Sequence, residues 1–243
     1  MGRVERKKRD RKKIIIAVEI LCLIALVFGV YKAINIHRIN KEAAKKAETE
    51  AETGAGTKAE GDFLVLVNND REIPEGYLDE ITTVEVENGY EVDERIADDL
   101  NRMLADCREA GYSPQIISAF RTREDQEYLY DHTANKSDTA VPGHSEHECG
   151  LAVDIIDAES AGWDDPLIDE QEDTPAQKWL MENCHRYGFI LRYPKDKEDI
   201  TEIIYEPWHY RYVGADNAEK IMKEGICLEE YVDPDTYKEK NNE

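Results

Sequence analysis

The stretch "GHSEHECGLAVDI", Gly143–Ile155, sets two histidines, two glutamates, a cysteine and an aspartate within thirteen residues. Imidazole and carboxylate are the donor types of catalytic zinc sites, which commonly take three protein ligands and keep one position open. Read as extended chain, the segment turns Ser145 and His147 to one side and His144 and Glu146 to the other. Gly150 permits a bend, and "LAVDI" reads as a strand with Ala152 and Asp154 on one face, so His147 and Asp154 can meet across the turn. A third ligand and a base are available in "EPWH", where His209 follows Glu206 by three residues. A carboxylate beside a metal can take a proton from water and later hand it to a leaving amine. His147, Asp154 and His209 with Glu206 therefore form a complete set for metal-assisted amide hydrolysis. Arg121, at the end of "QIISAFR", is a cationic donor able to hold a scissile carbonyl.

Each of these residues also has an ordinary reading. A histidine among acids is often a surface residue, Asp154 can cap a strand end, and Glu206 can be a loop acid. His144 can replace His147 as the ligand, and Arg121 can pair with Glu124 or Asp125 on the following turn. His37, His132 and His185 have no partners nearby in sequence and read as structural.

The elements that must position these groups are legible in part. "FLVLV" reads as a strand or an extended arm, followed by the turn-like "NNDREIPEGY". Apolar Ile96, Leu100, Met103, Leu104 and Cys107 recur at helical spacing between Asp93, a candidate N-cap, and the stop at Gly111. "QIISAF" reads as a buried strand, and Thr122 with Asp125 opens a helix through Tyr130. Thr174, Pro175 and Gln177 form a capping box for a further helix that ends at Gly188. "FILRY" and "WHYRYV" are β-rich runs, and a short helix over residues 215–224 closes the core. Helices and strands without regular βαβ alternation predict an α+β domain.

The N-terminal quarter has another character. Residues 1–13 hold eight Lys or Arg against two acids, so they carry +6 and leave −29 for the rest of a chain whose total is −23. A body that acidic repels phosphate backbones, which argues against nucleic acid as a partner. The eighteen residues 14–31 contain one charge, Glu19. As a helix they reach roughly 27 Å, close to the ~30 Å bilayer core. The expectation is a basic cytoplasmic tail (1–13), an uncleaved transmembrane anchor (14–36), a stalk rich in Ala, Glu, Lys and Thr (37–61) and an exported domain (62–243). Cys22 lies in the span, while Cys107, Cys149, Cys184 and Cys227 show no CxxC pair and read as buried small residues. No obligate protein partner is indicated.

"SEHECGLAVD" fits the S-x-H-x-x-G-x-A-x-D motif of the VanY/VanX metallopeptidases, the D-Ala-D-Ala carboxypeptidase family. "YEPWHYRYVG" resembles that family's second motif and "ISAFRT" its arginine segment, and with "DERIADDLNRMLADCREAGY" and "YGFILRYP" the likeness runs from Phe63 to Tyr231. The resemblance implies a small α+β fold with a central antiparallel sheet flanked by helices, as in the zinc domain of hedgehog proteins. It implies one zinc ion on His147, Asp154 and His209, with Glu206 as general base. Arg121 would hold the substrate's carbonyl or terminal carboxylate, and Ser145 and Gln126 would line its pocket. The implied activity is removal of the C-terminal D-alanine from peptidoglycan stem peptides. L,D-cleavage of tetrapeptide stems, endopeptidase cleavage and a non-catalytic zinc or cell-wall binding module are the competing readings. Two positions depart from the pattern: Cys149, a possible competing ligand, and Glu202, where the family commonly has glycine.

Overall fold

The computed structural model describes residues 63–133 and 139–237. The tail, the expected span and the whole stalk, with Cys22 and His37, lie outside the described residues. Among the described residues no helix is long and apolar enough to cross a membrane.

Two small sheets organise the chain. Strands β1 (Thr83–Glu85) and β2 (Glu91–Asp93) form an antiparallel hairpin. A four-stranded antiparallel sheet runs in the order β3 (Pro114–Ser118), β4 (Ala152–Asp157), β6 (His209–Tyr212) and β5 (Phe189–Leu191). All six residues of β4 and all four of β6 are buried, as expected of central strands covered on both faces.

Helix α1 (Ala97–Glu109) buries Ala97, Leu100, Met103, Leu104 and Cys107, one stripe at i, i+3, i+4 spacing. Helix α2 (Arg123–His132) starts in a reciprocal capping box between Thr122 and Asp125. Helix α3 (Pro175–Asn183) is capped by Thr174 and continues as a 3-10 turn, Cys184–Tyr187, to Gly188. There the backbone is left-handed (φ 82°), and a Cβ would sit 2.6 Å from Tyr212 Cε2, so glycine alone fits. Helix α4 (Ala215–Glu224) buries Ala218 and Ile221 in a second apolar cluster with Ile190, Val213 and Leu228.

Several local expectations are corrected. Of the two readings of "FLVLV", the extended arm holds and the strand does not: after a 3-10 turn at Phe63 and Leu64 the run is extended, and the carbonyls of Phe63 and Val65 are taken by the Arg211 side chain instead of a ladder partner. Asp93 does not cap α1. It ends β2, and its carboxylate accepts the Arg95 backbone N–H and Nε, both at 2.9 Å. Gln177 does not complete a capping box, because its amide turns inward to the Ile155 carbonyl and the Tyr210 hydroxyl. Residues 146–149 are a 3-10 turn, not extended chain, so alternation does not govern their side chains.

Candidate metal centre

Strand register brings the first pair of groups together. Asp154 on β4 is the cross-strand partner of His209 on β6 and of Ser118 on β3. Cross-strand neighbours share a face, so the carboxylate and the imidazole meet without any loop rearrangement. His209 Nδ1 lies 3.1 Å from Asp154 Oδ1. The 3-10 turn supplies His147, whose Nε2 lies 3.3 Å from Asp154 Oδ2. Gly150 ends that turn at φ 69° and lets the chain enter β4 against the backbone of Asp93. The two imidazoles stand edge to face, with centroids 5.0 Å apart.

These three residues are a group that could hold a metal ion, with one ligand atom from each within 4.8 Å of the others. Tetrahedral zinc with bonds of about 2.0–2.1 Å separates its ligand atoms by about 3.3 Å, and both measured contacts are of that size. Asp154 Oδ1 is buried and has no hydrogen bond. His147 Nδ1 lies 2.7 Å from the Ala119 carbonyl, which takes the proton on that nitrogen and leaves Nε2 with its lone pair toward Asp154. The residues fit a zinc ion.

The electrostatics are those of a buried, compensated cluster. Burial, with Arg121 adding, pushes His147 down to about 4, so its ring is neutral and ready to ligate. Burial opposes the Asp154 charge, but His147 and His209 beside it hold the carboxyl below its ordinary range. His209 resists burial through its contacts with Asp154 and Glu146 and is raised to about 9.

Glu206 sits one turn before His209, with Oε2 3.4 Å from His209 Nδ1. Its backbone N–H is fixed by the Tyr193 carbonyl, and its carbonyl receives the His209 N–H. Burial raises its carboxyl to about 7, with His209 and Arg121 opposing and Asp154 adding to the rise. Arg121 is placed by its own backbone N–H, which donates to the His147 carbonyl at 3.2 Å. Its Nε is buried without a hydrogen bond, and burial depresses the guanidinium while Asp154 and Glu206 support its charge. The expected alternative pairing with Asp125 is not found, since that carboxylate is engaged by Thr122.

One cleft of about 490 Å³ joins these groups; Ser145, Gln126, Tyr193 and Trp208 complete its wall, and Leu129, Leu167 and Ile204 form an apolar rim. Gln126 donates to the Ala140 carbonyl, while its buried Oε1 has no hydrogen bond. His144 is turned away, with Nδ1 2.7 Å from the Asn68 carbonyl. Cys149 is not at the metal group but in the core, its thiol pushed up to about 12 by burial, so competition for the ion is not supported. It is free and buried, as are Cys107, Cys184 and Cys227.

Sequence reasoning missed what lies behind the ligands. Glu146 and Glu148, which read from the sequence as supporting or solvated acids, are both buried. Glu148 accepts the Gly143 N–H and pairs with Arg123. Glu146 joins Arg192, Arg211 and Glu229 in a fully enclosed ion cluster. The available signal was the alternation of "HYRY", which puts Arg211 on the face of His209 in a strand with no solvent side.

A family model described as VanY, D-alanyl-D-alanine carboxypeptidase, matches residues 89–215. A D-alanyl-D-alanine carboxypeptidase of Enterococcus faecalis is 37% identical over 203 residues, covering 75% of this chain and 72% of the relative. The chain belongs to the VanY family. It is a D-alanyl-D-alanine carboxypeptidase of the zinc metallopeptidase class. The putative carboxypeptidase YodJ of Bacillus subtilis is 36% identical over 184 residues, 70% of this chain and 66% of that one. Among solved structures, VanYB in complex with D-alanine-D-alanine aligns with TM-score 0.62 at 37% identity, covering 71% of this chain and 98% of the other. A variant of the vancomycin-resistance D,D-pentapeptidase VanY in complex with Zn(II) aligns with TM-score 0.61 at 38% identity, covering 71% and 99%. The LD-carboxypeptidase LdcB aligns with TM-score 0.62 at 32% identity, covering 72% and 87%.

Proposed function

We propose that this zinc carboxypeptidase removes the terminal D-alanine from pentapeptide stems of peptidoglycan outside the membrane, held there by an anchor over residues 14–36. The observation that carries the catalytic assignment is the placement of Glu206. Its carboxyl lies beside a proposed ligand nitrogen, titrates near neutrality and opens on the same cleft as Arg121. His147, Asp154 and His209 would hold the zinc ion. Bound there, zinc polarises the scissile carbonyl and acidifies water. Glu206 accepts the proton of the attacking water and returns it to the departing D-alanine amine. Arg121, a guanidinium without a fixed partner at Nε, takes the carbonyl oxygen or the terminal carboxylate, where a charge-assisted pair is strongest. Ser145 and the open Oε1 of Gln126 orient the peptide, Gln126 by accepting an N–H.

The basic residues 1–13 ahead of the apolar run support a cytoplasmic N-terminus, and the stalk supports a domain working at a distance from the bilayer. L,D-cleavage of tetrapeptide stems is the second reading, supported by the similarity to LdcB. The test is the full chain and its Glu206→Ala variant, incubated with defined penta- and tetrapeptide stems with and without chelator. D-alanine release from pentapeptide, lost in the variant and on chelation, is expected. Release from tetrapeptide alone would establish L,D-specificity, and full activity in the variant would overturn the mechanism.

A further inference from the structure

Behind His209 lies a carboxylate that the reaction itself does not use. The Glu146 side chain has no exposure, and its Oε1 receives Arg192 Nε at 2.7 Å and Arg211 Nη1 at 2.6 Å. Both arginines are themselves immobilised. Arg192 is forked onto Glu229 at 2.6 and 2.8 Å, and Arg211 Nη2 is held by the carbonyls of Phe63 and Val65. Two arginines against two glutamates neutralise the cluster, so Glu146 is an ionised carboxylate in a fixed position.

Only one of its oxygens is used by that cluster. Oε2 is buried without a hydrogen bond, and so is Nε2 of His209. The two atoms face each other at 3.6 Å. A buried donor or acceptor left unmet costs about 1–3 kcal/mol, and an approach of about 0.7 Å would bring this pair to ordinary hydrogen-bond length. The ring of Tyr193, 4.9 Å from that of His209, flanks the imidazole.

We propose that Glu146 is a positioning residue of the metal centre: its Oε2 accepts the Nε2–H of His209, fixes that tautomer and keeps Nδ1 facing Asp154 and His147. A merely structural Glu146 would need only Oε1, which satisfies both arginines. Carboxylates behind ligating histidines typically contribute 10–100-fold to metal affinity or activity. The inference rests on His209 being a zinc ligand, and the test separates the two.

In Glu146→Gln the amide oxygen can keep both arginines, but its NH2 then faces His209 and donates to Nε2, which drives the proton to Nδ1 and blocks ligation. Glu229→Gln removes the same charge from the same cluster without touching His209. Zinc affinity of the full chain, measured by competition with a chromophoric chelator, should fall about 10–100-fold in Glu146→Gln and stay within about threefold in Glu229→Gln. Equal losses in both, or none in Glu146→Gln, would overturn the proposal. A parent chain that binds no zinc would sink the metal assignment as well. Should Glu146→Gln fail to fold, the zinc-loaded parent decides by NMR. A downfield, slowly exchanging His209 Nε2–H is expected, and one that exchanges as fast as a free imidazole's contradicts the bond.

Discussion

Replacing Glu206 with glutamine keeps the shape of the side chain and removes its ability to take a proton. General-base catalysis is worth about 10²–10⁴ in rate, and kcat should fall by that factor. Zinc content should not fall, because Glu206 is not among the three residues whose ligand atoms converge. Its removal also relieves a repulsion, since Asp154 is one of the groups that raise the Glu206 carboxyl to about 7. The pH dependence follows from the same shift. Glu206 works only when deprotonated, so kcat/KM of the parent falls as pH drops through its pKa, about tenfold per unit below it. A bound dication lowers that pKa, so the limb lies at or below pH 7. In Glu206→Gln this limb disappears. The assay is D-alanine release between pH 5 and 9 over a range of stem-peptide concentrations, which gives kcat and kcat/KM at each pH, with metal content measured on the same samples. A variant that holds zinc and keeps more than about a tenth of parental kcat would refute the assignment of the base.

Other expectations follow from particular contacts. Arg121→Lys exchanges a fork for a point charge and should cost about 10–100-fold in kcat/KM with zinc content unchanged, the scale of a lost charge-assisted hydrogen bond. Glu202 sits at φ 58° just after a one-turn helix, so Glu202→Gly should raise stability by about 0.5 kcal/mol, about 1–2 °C in Tm. Burial works against the charges of Glu146 and Glu229, yet their arginines hold both carboxyls below the ordinary range. The stability they contribute is complete above the ordinary carboxylate value of about 4.3 and is lost as pH falls through the lower folded values. Tm should therefore drop steeply below about pH 4, with a shallower slope in Glu229→Gln, and a Tm unchanged between pH 5 and 3 would contradict the cluster's role.

The parts of the site carried by short-range patterns were legible in the sequence. Thr122 with Asp125 and Thr174 with Pro175 mark two helix starts through local hydrogen bonds, and both helices begin there. His147, Asp154, Glu206, His209 and Arg121 share one cleft, as their chemistry suggested. What failed depends on partners that the sequence pattern alone does not announce. Asp93 looks like a cap until Arg95 and the hairpin with β1 claim it. "FLVLV" reads equally as a strand or an extended arm, and what decides for the arm is Arg211, 146 residues beyond Val65, which meets its carbonyls. Glu146 reads as either a supporting or a solvated acid, because nothing nearby in sequence announces the two arginines that neutralise it. Alternation misplaced it for another reason: residues 146–149 close a tight 3-10 turn into Gly150, and that turn, not a pleat, aims His147 at Asp154.

The central claim is the ligand set, and anomalous diffraction from crystals of the zinc-loaded chain tests it most directly. One ion per chain is predicted, about 2.0–2.2 Å from His147 Nε2, His209 Nδ1 and an Asp154 carboxylate oxygen, with Glu206 beside it but not bound. An ion held by Cys149 or His144, or by fewer than three of the named residues, would contradict the account.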